Sequence, residues 1–373
     1  MKIMKRANNL CPRILSHANL ELAFWKAQRG KGPKSDIAMF RARLDRELAL
    51  LLEELSNHSI TFGDYRFFTI RDPKERRICA AAFRERVLHH AIMNVCEPVL
   101  ERYAIFDSYA CRKGKGLYKA LSRAQQFARR YAWFLKLDIK SYYDSIDHEV
   151  LLDQLGRLFK ERDLMELFAK IVKSHSSQND SAKRHNAARG LPIGNLTSQH
   201  FANLYLGKFD HFVKEELRVR GYVRYMDDFV IFGDSKANLR CVLAKAREFL
   251  SSRRQLSLRA DVRLGPTARG FDFLGYRLFP DRIRLARRSK KRYARKLRDY
   301  EWRFQMGEFD EATLARRVEC LTAFTRHADS IEFRRVLLAK SMLFDDFVHY
   351  ISALNSASTF RKPLAIRAPF QHN

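Results

Sequence analysis

The chain has 373 residues, 46% of them hydrophobic, enough for a substantial core and two or three subdomains. Lysine and arginine number 71 against 42 aspartates and glutamates, a net charge of +29, with aromatic residues at 12%. Positive charge interleaved with rings on this scale points to a polyanionic partner, nucleic acid above all, rather than to solubility alone. The absence of any run of 18 apolar residues, signal peptide or lipidation motif argues against a membrane protein. The six cysteines (Cys11, Cys79, Cys96, Cys111, Cys241 and Cys320) show no C-x-x-C pair and no metal-ligand spacing. They read as buried thiols in a reducing cytoplasm.

Residues 1–33 are basic and dotted with glycine, with Phe24 and Trp25 as apolar anchors; they are either an arm lying on RNA or an ordered extension. Phe40, Leu44, Leu48, Leu51 and Leu55 recur at helical spacing and predict an amphipathic helix over 36–55. Glu53 and Glu54 near its end oppose the helix dipole, so packing must hold it. Residues 65–70 alternate and stop at Arg71-Asp72-Pro73-Lys74, and 76–79 return, predicting a hairpin with a basic tip. Guanidinium and ammonium groups there suit a triphosphate, although a solvated charged turn would look the same. Residues 83–95 are helical in pattern; His89 and His90 lack a partner at ligand spacing and read as core or surface histidines. In Arg112-Lys113-Gly114-Lys115-Gly116, glycines between cations make a basic loop whose backbone can approach phosphates. Its spacing is not that of a P-loop.

Phe134-Leu135-Lys136-Leu137-Asp138 is an apolar strand ending in a carboxylate. Residues 151–172 are helical by periodicity, and 174–188 form a polar, basic, exposed loop. Gly190-Leu191-Pro192-Ile193-Gly194 breaks structure before a helical stripe through Phe201, Leu204, Tyr205, Phe209, Phe212 and Val213. Arg224-Tyr225-Met226-Asp227-Asp228-Phe229-Val230-Ile231 then places two adjacent acids at the tip of a hairpin. Adjacent acids repel each other and are tolerated in a solvated turn or beside a divalent cation. With Asp138, three carboxylates from two strand ends can hold two Mg²⁺, which take oxygen ligands. Two such ions could clamp the attacking and leaving oxygens of an in-line phosphoryl displacement. A helix over 239–250, strands over 256–258 and 271–278, and a very basic run from Arg282 follow. That run opens a helical region over 287–350, and the tail from 356 is aperiodic.

The ordered blocks between residues 65 and 278 resemble reverse transcriptases, with Asp138–Tyr143 similar to motif A and Tyr225-Met226-Asp227-Asp228 to motif C. The resemblance implies an α+β right-hand polymerase with fingers, a palm built on an antiparallel sheet, and a helical thumb. The expected divisions are 1–60 (basic extension and helix), 61–130 (fingers with the first palm segments), 131–285 (palm, with a fingers insertion around 155–195), 286–355 (thumb) and 356–373 (tail). By the family's pattern Asp138, Asp227, Asp228 and the Ile139 carbonyl hold two Mg²⁺, with Mn²⁺ as an alternative. Lys74, Arg76, Tyr143, Ile193 and Gly194 would meet the dNTP. Arg112, Lys113, Lys115, Tyr225, Met226, Leu274, Gly275, Arg287, Arg288 and Lys291 would lie along template and primer, the last three on phosphates. The ring of Tyr143 would exclude a ribose 2′-hydroxyl and so select deoxynucleotides.

Motif B narrows the resemblance. Ile193-Gly194 and Ser198-Gln199 replace the family's common Gln-Gly and Ser-Pro, and resemble the reverse transcriptases of diversity-generating retroelements. An isoleucine cannot offer the hydrogen bonds of an amide, so Ile193 would loosen selection and favour errors at template adenines, unless it merely packs. Asp261 stands where the family usually offers a lysine before Gly270, and the neighbouring Arg259 and Arg263 are poor proton donors, which leaves the acid that protonates pyrophosphate open; water could serve. The implied protein is a cytoplasmic, bacterial or phage-encoded RNA-directed DNA polymerase with a template RNA, an RNA–cDNA duplex, dNTPs and a small basic accessory protein as partners. No membrane partner or maturase-type endonuclease module is expected. The rivals are a defence- or intron-type reverse transcriptase, and a catalytically silent RNA-binding scaffold.

Overall fold

The computed structural model describes residues 5–31, 35–71, 75–175 and 188–339. The turn at 72–74 with Lys74, the loop over 176–187, the end of the helical region and the tail lie outside the described residues. The chain divides into two compact units, one of Met1–Leu274 with Leu278–Asp281, the other of Gly275–Arg277 with Arg282–Asn373.

The first unit is organised around a four-stranded antiparallel sheet. Its strands are β3 (Trp133–Asp138), β4 (Gly221–Tyr225), β5 (Asp228–Gly233) and β6 (Arg263–Pro266), in the order β4-β5-β3-β6; β1 (Tyr65–Arg71) and β2 (Glu75–Ala81) form a separate hairpin. Leu135, Leu137, Val223, Phe229, Val230 and Ile231 are fully buried. Each contributes roughly 1.5–3 kcal/mol by leaving water. Asp138 and Asp228 are paired opposite one another on β3 and β5, so this core fixes the relation between them. Side chains two apart share a sheet face, which puts Lys136 on the face of Asp138.

The N-terminal residues are an ordered part of this unit. Helices Cys11–Ile14 and His17–Gln28 both pack on the long helix Phe83–Tyr103, with Phe24 buried and Trp25 half exposed. The expected helix over 36–55 forms as Ser35–Ala42 and Leu44–Ser56, interrupted at Arg43, and Arg84 pairs with Glu54 at 2.8 Å. The expected helix over 151–172 is likewise two, His148–Gly156 and Arg162–Lys173. The break is held from outside: Ala7 bridges Phe159, and the Glu161 carboxylate accepts from the Leu10 and Cys11 amides at 2.6 and 2.8 Å. Asp147 caps the helix His148–Gly156 by accepting from the Glu149 and Val150 amides.

Other expectations change. Residues 256–258 form no strand beyond an isolated bridge between Leu258 and Ile139. The strand over 271–278 is split into Phe271–Phe273 and Tyr276–Leu278 by Leu274 and Gly275, both with positive φ (51° and 88°). All six cysteines are free, but only Cys79 and Cys96 are buried; Cys11 is half-buried and Cys111, Cys241 and Cys320 are exposed. His89 is a core residue stacked on Phe62, with neither ring nitrogen hydrogen-bonded, and burial pushes its pKa down to about 3.

The second unit is helical, with Arg287–Gln305, Glu311–Ala323 and Ile331–Leu338. The first of these buries Ser289, Tyr293 and Leu297, one turn apart, and leaves its cations on the other faces. Among the described residues no helix is long and apolar enough to cross a membrane.

Candidate active site

The three aspartates predicted from sequence lie on paired strand ends and the turn between β4 and β5. Tyr225 pairs with Asp228, so Met226 and Asp227 make a two-residue hairpin turn. Its first residue, Met226, has φ 55°, a region that costs a non-glycine residue on the order of 1–3 kcal/mol and that glycine usually fills. The turn therefore survives because its surroundings hold it. Burial, then the charge of Asp138, pushes the Asp227 carboxyl up from its ordinary range, against Arg76 and Arg259. Burial pushes Asp228 up to about 6, opposed by Lys136 and reinforced by the other two acids.

Two internal cations meet this cluster. Arg259 Nη1 lies 3.3 Å from Asp138 Oδ2, and the Arg259 amide donates to the Asp138 carbonyl at 2.8 Å. Lys136 Nζ stands 2.8 Å from Asp228 Oδ1, an ion pair that offsets part of the cost of burying this carboxylate. A crowded set of carboxylates whose charge is penalised by burial and by one another has the donor chemistry of a hard divalent cation. The fit is one of donor type and placement: as they stand, no three His, Cys, Asp or Glu side chains among the described residues are close enough to hold a metal ion. Asp138, Asp227 and Asp228 are the residues that would hold it. Ile139 is buried and its backbone lies in the bridge to Leu258. Asp261 is exposed and bound to Arg263 at 2.8 Å, which leaves Lys136 and Arg259 as the cations in contact with the acids.

Of the residues expected around the nucleotide, Arg76, Tyr143, Ile193 and Gly194 are among the described residues. The Tyr143 hydroxyl donates to the Met226 sulfur at 3.9 Å, and burial raises its pKa, with Asp227 and Arg76 among its charged neighbours. The segment 190–194 is tied to its surroundings by backbone: the Gly190 amide donates to Ile146, the Leu191 amide to Tyr143, and the Cys79 amide to the Ile193 carbonyl at 2.8 Å. Gly194 has φ 126°, and a Cβ there would lie 2.8 Å from the Cys79 carbonyl oxygen, so only glycine fits between loop and hairpin. Ile193 is half-buried and Arg76 exposed.

The predicted template and primer contacts are less uniform. Arg112 is committed internally: Nε and Nη2 donate to Glu101 at 2.8 and 2.6 Å, and Nη1 to the Ile105 and Ser108 carbonyls. Its side chain is 9% exposed, so it holds the loop together rather than reaching outward. Lys115 folds back over the Phe106 ring, 3.4 Å from its centre, and donates to the Phe106 carbonyl. Lys113 is exposed, Tyr225 and Met226 are half-buried, and Leu274–Gly275 form the turn described above. In the second unit Arg287, Arg288 and Lys291 are exposed on the opening turns of their helix, whose first turn holds no acid and where the helix dipole disfavours positive charge.

Sequence reasoning missed Lys136 and Arg259 as partners of the acids, and the buried pair Arg224–Asp210. The alternation along β3 could have placed Lys136. The other two join residues far apart in the chain, and Arg224–Asp210 carried no local signal.

The sequence profile of the family described as "Reverse transcriptase (RNA-dependent DNA polymerase)" matches residues 71–278, more than half of the chain and all three aspartates. The chain belongs to the reverse transcriptase family. It is an RNA-directed DNA polymerase, and its helices and antiparallel sheets agree with the right-hand polymerase fold. Protein YkfC of Escherichia coli is 27% identical over 286 residues, covering 66% of this chain and 74% of that protein. The group II intron-encoded protein LtrA of Lactococcus lactis is 26% identical over 140 residues, 38% of this chain and 23% of LtrA. A putative COX1/OXI3 intron 2 protein of Saccharomyces cerevisiae is 22% identical over 157 residues, 42% of this chain and 17% of that protein. The chain thus spans a quarter or less of these intron-encoded relatives. Among solved structures, apo telomerase from Candida tropicalis aligns with a TM-score of 0.47 and 13% identity over 79% of this chain and 62% of that one.

Proposed function

We propose that the protein copies an RNA template into cDNA from dNTPs, with Asp138, Asp227 and Asp228 as its catalytic carboxylates. The observation that carries this reading is the pairing of Asp138 with Asp228 across β3 and β5, with Asp227 on the adjoining turn and Tyr143 against Met226. Asp138, Asp227 and Asp228 would hold two Mg²⁺, which when bound would supply positive charge for the displacement at phosphorus. The chain's own part is positional. The buried sheet fixes the carboxylates, Arg76 offers the triphosphate a guanidinium, and Tyr143 closes the space a 2′-hydroxyl needs. The second unit is the thumb, whose exposed Arg287, Arg288 and Lys291 meet duplex phosphates and give binding its salt dependence.

The finer reading is a polymerase of the diversity-generating type, error-prone at template adenines and working with a structured RNA and a small basic accessory protein. Ile193 supports it, because a half-buried aliphatic side chain stands where an amide would discriminate by hydrogen bonding. A second reading, an intron-type reverse transcriptase, is favoured by the similarity to LtrA and the yeast intron proteins. Sequencing the products of RNA-templated extension separates them. Errors concentrated opposite adenine in the wild type and reduced in Ile193→Gln fit the first; uniform, faithful product fits the second. In the same assay Tyr143→Ala should admit ribonucleotides, and unchanged sugar selectivity would remove Tyr143 as the gate.

A further inference from the structure

Behind the carboxylate turn lies a buried polar network that the polymerase reading leaves without a role. Arg224 is 1% exposed and Asp210 0%. All five guanidinium N–H groups find acceptors. Nε and Nη2 grip the two Asp210 oxygens at 2.7 and 2.6 Å. Nη2 also donates to the Asn203 carbonyl at 3.2 Å, and Nη1 to the Asn203 side-chain oxygen at 3.1 Å and the Met226 carbonyl at 3.0 Å. The Tyr222 hydroxyl completes the cage by donating to Asp210 Oδ1 at 2.7 Å. Asn203, on the helix Leu196–Tyr205 that follows Ile193-Gly194, donates in turn to the Ala110 carbonyl at 2.6 Å.

Burying an ion pair this completely is a poor way to gain stability, since apolar residues of the same size commonly do as well. What it adds is direction. The Met226 carbonyl belongs to the planar peptide that ends at the Asp227 nitrogen, so holding that oxygen sets the orientation in which Asp227 leaves the turn. It also pins Met226 in its unfavourable positive-φ conformation. Only the fork of an arginine can serve Asp210, Asn203 and Met226 together; the ammonium of a lysine is a point donor.

We propose that Arg224, held by Asp210, is a positioning residue that sets the Asp227 carboxylate for metal and substrate, and that Asn203 couples this setting to the helix behind the nucleotide subsite. The proposal rests on reading Asp138, Asp227 and Asp228 as the polymerase centre. It differs from a purely structural role in expecting a loss in turnover without a matching loss of nucleotide affinity.

The test uses the full chain and Arg224→Lys, which keeps the buried charge but loses the fork. Three quantities are measured: the thermal midpoint, its shift on adding Mg²⁺ without nucleic acid, and kcat and KM for dNTP in primer extension. The expected result is a folded variant whose kcat falls roughly 10²-fold, the scale of a misplacement of about 1 Å, with KM changed less than ~3-fold and a smaller Mg²⁺ shift. A folded Arg224→Lys with wild-type kcat and an undiminished Mg²⁺ shift overturns the proposal. Should Arg224→Lys fail to fold, Asn203→Ala decides, since it keeps the ion pair and removes one acceptor of the same nitrogen: reduced kcat at constant KM supports positioning, and unchanged kcat overturns it. A wild type that extends no primer contradicts the polymerase reading, and the comparison of Mg²⁺ shifts still decides the positioning claim.

Discussion

Strand β5 runs from Asp228 into Phe229, Val230 and Ile231, all at 0% exposure, whereas six of the seven residues of β1 are exposed, with Phe67, Phe68 and Ile70 each more than 40% open to solvent. Both segments border the candidate site. The first is buried over its middle four residues and opens with Asp228; the second is one strand of a two-stranded ribbon with most of its side chains in water, whose other strand carries Arg76. Groups whose placement fixes the chemistry sit on the part of the fold with most to lose by moving. Arg76, proposed to meet the nucleotide, sits on the part with few buried contacts to lose.

Five substitutions would break or sharpen this contrast. Asp227→Asn should lower primer extension by roughly 10³-fold or more, because stabilisation by a metal-bound centre is worth several kcal/mol, while the thermal midpoint is not lowered. Rate and melting measured on one preparation check both. Leu135→Ala, beneath the acids, should destabilise the protein by about 2–5 kcal/mol in denaturant unfolding, as a fully buried leucine does when truncated. His89→Leu should remove an acid sensitivity. The folded protein keeps this imidazole neutral down to about pH 3 and the unfolded chain protonates it near its ordinary 6.5, so its contribution is complete above 6.5 and declines as pH falls below that. Between pH 7.5 and 5 the wild type should lose ~2 kcal/mol more than His89→Leu, read from unfolding curves at the two values. Arg76→Ala should raise the dNTP KM about tenfold with kcat and stability nearly unchanged, the worth of one charge-assisted hydrogen bond. Phe68→Ala, on the exposed ribbon, should change stability by less than ~0.5 kcal/mol; a core-sized loss there would contradict the picture of a solvated hairpin.

The parts legible in the sequence were those written locally. The alternation of 65–70 and its return gave the hairpin, and the apolar flanks of Asp138 and Asp227-Asp228 gave two strands of one sheet. What stayed hidden depends on pairing at a distance. Periodicity over 151–172 has no means of recording that Ala7 bridges Phe159 and Glu161 caps a helix 150 residues away. A run of cations looks the same whether it faces solvent, as Arg287 and Arg288 do, or is spent on carbonyls and an acid, as Arg112 is. Arg224 stood beside the motif throughout, but its partners Asp210 and Asn203 lie on other elements and only the fold assembles them.

The most direct test of the central claim is primer extension by the purified protein on a defined RNA template with Mg²⁺ and dNTPs, run beside Asp227→Asn. The account predicts template-dependent cDNA from the wild type and none above background from the variant. Synthesis by Asp227→Asn at the wild-type rate, or a folded wild type that incorporates no deoxynucleotide, would contradict it.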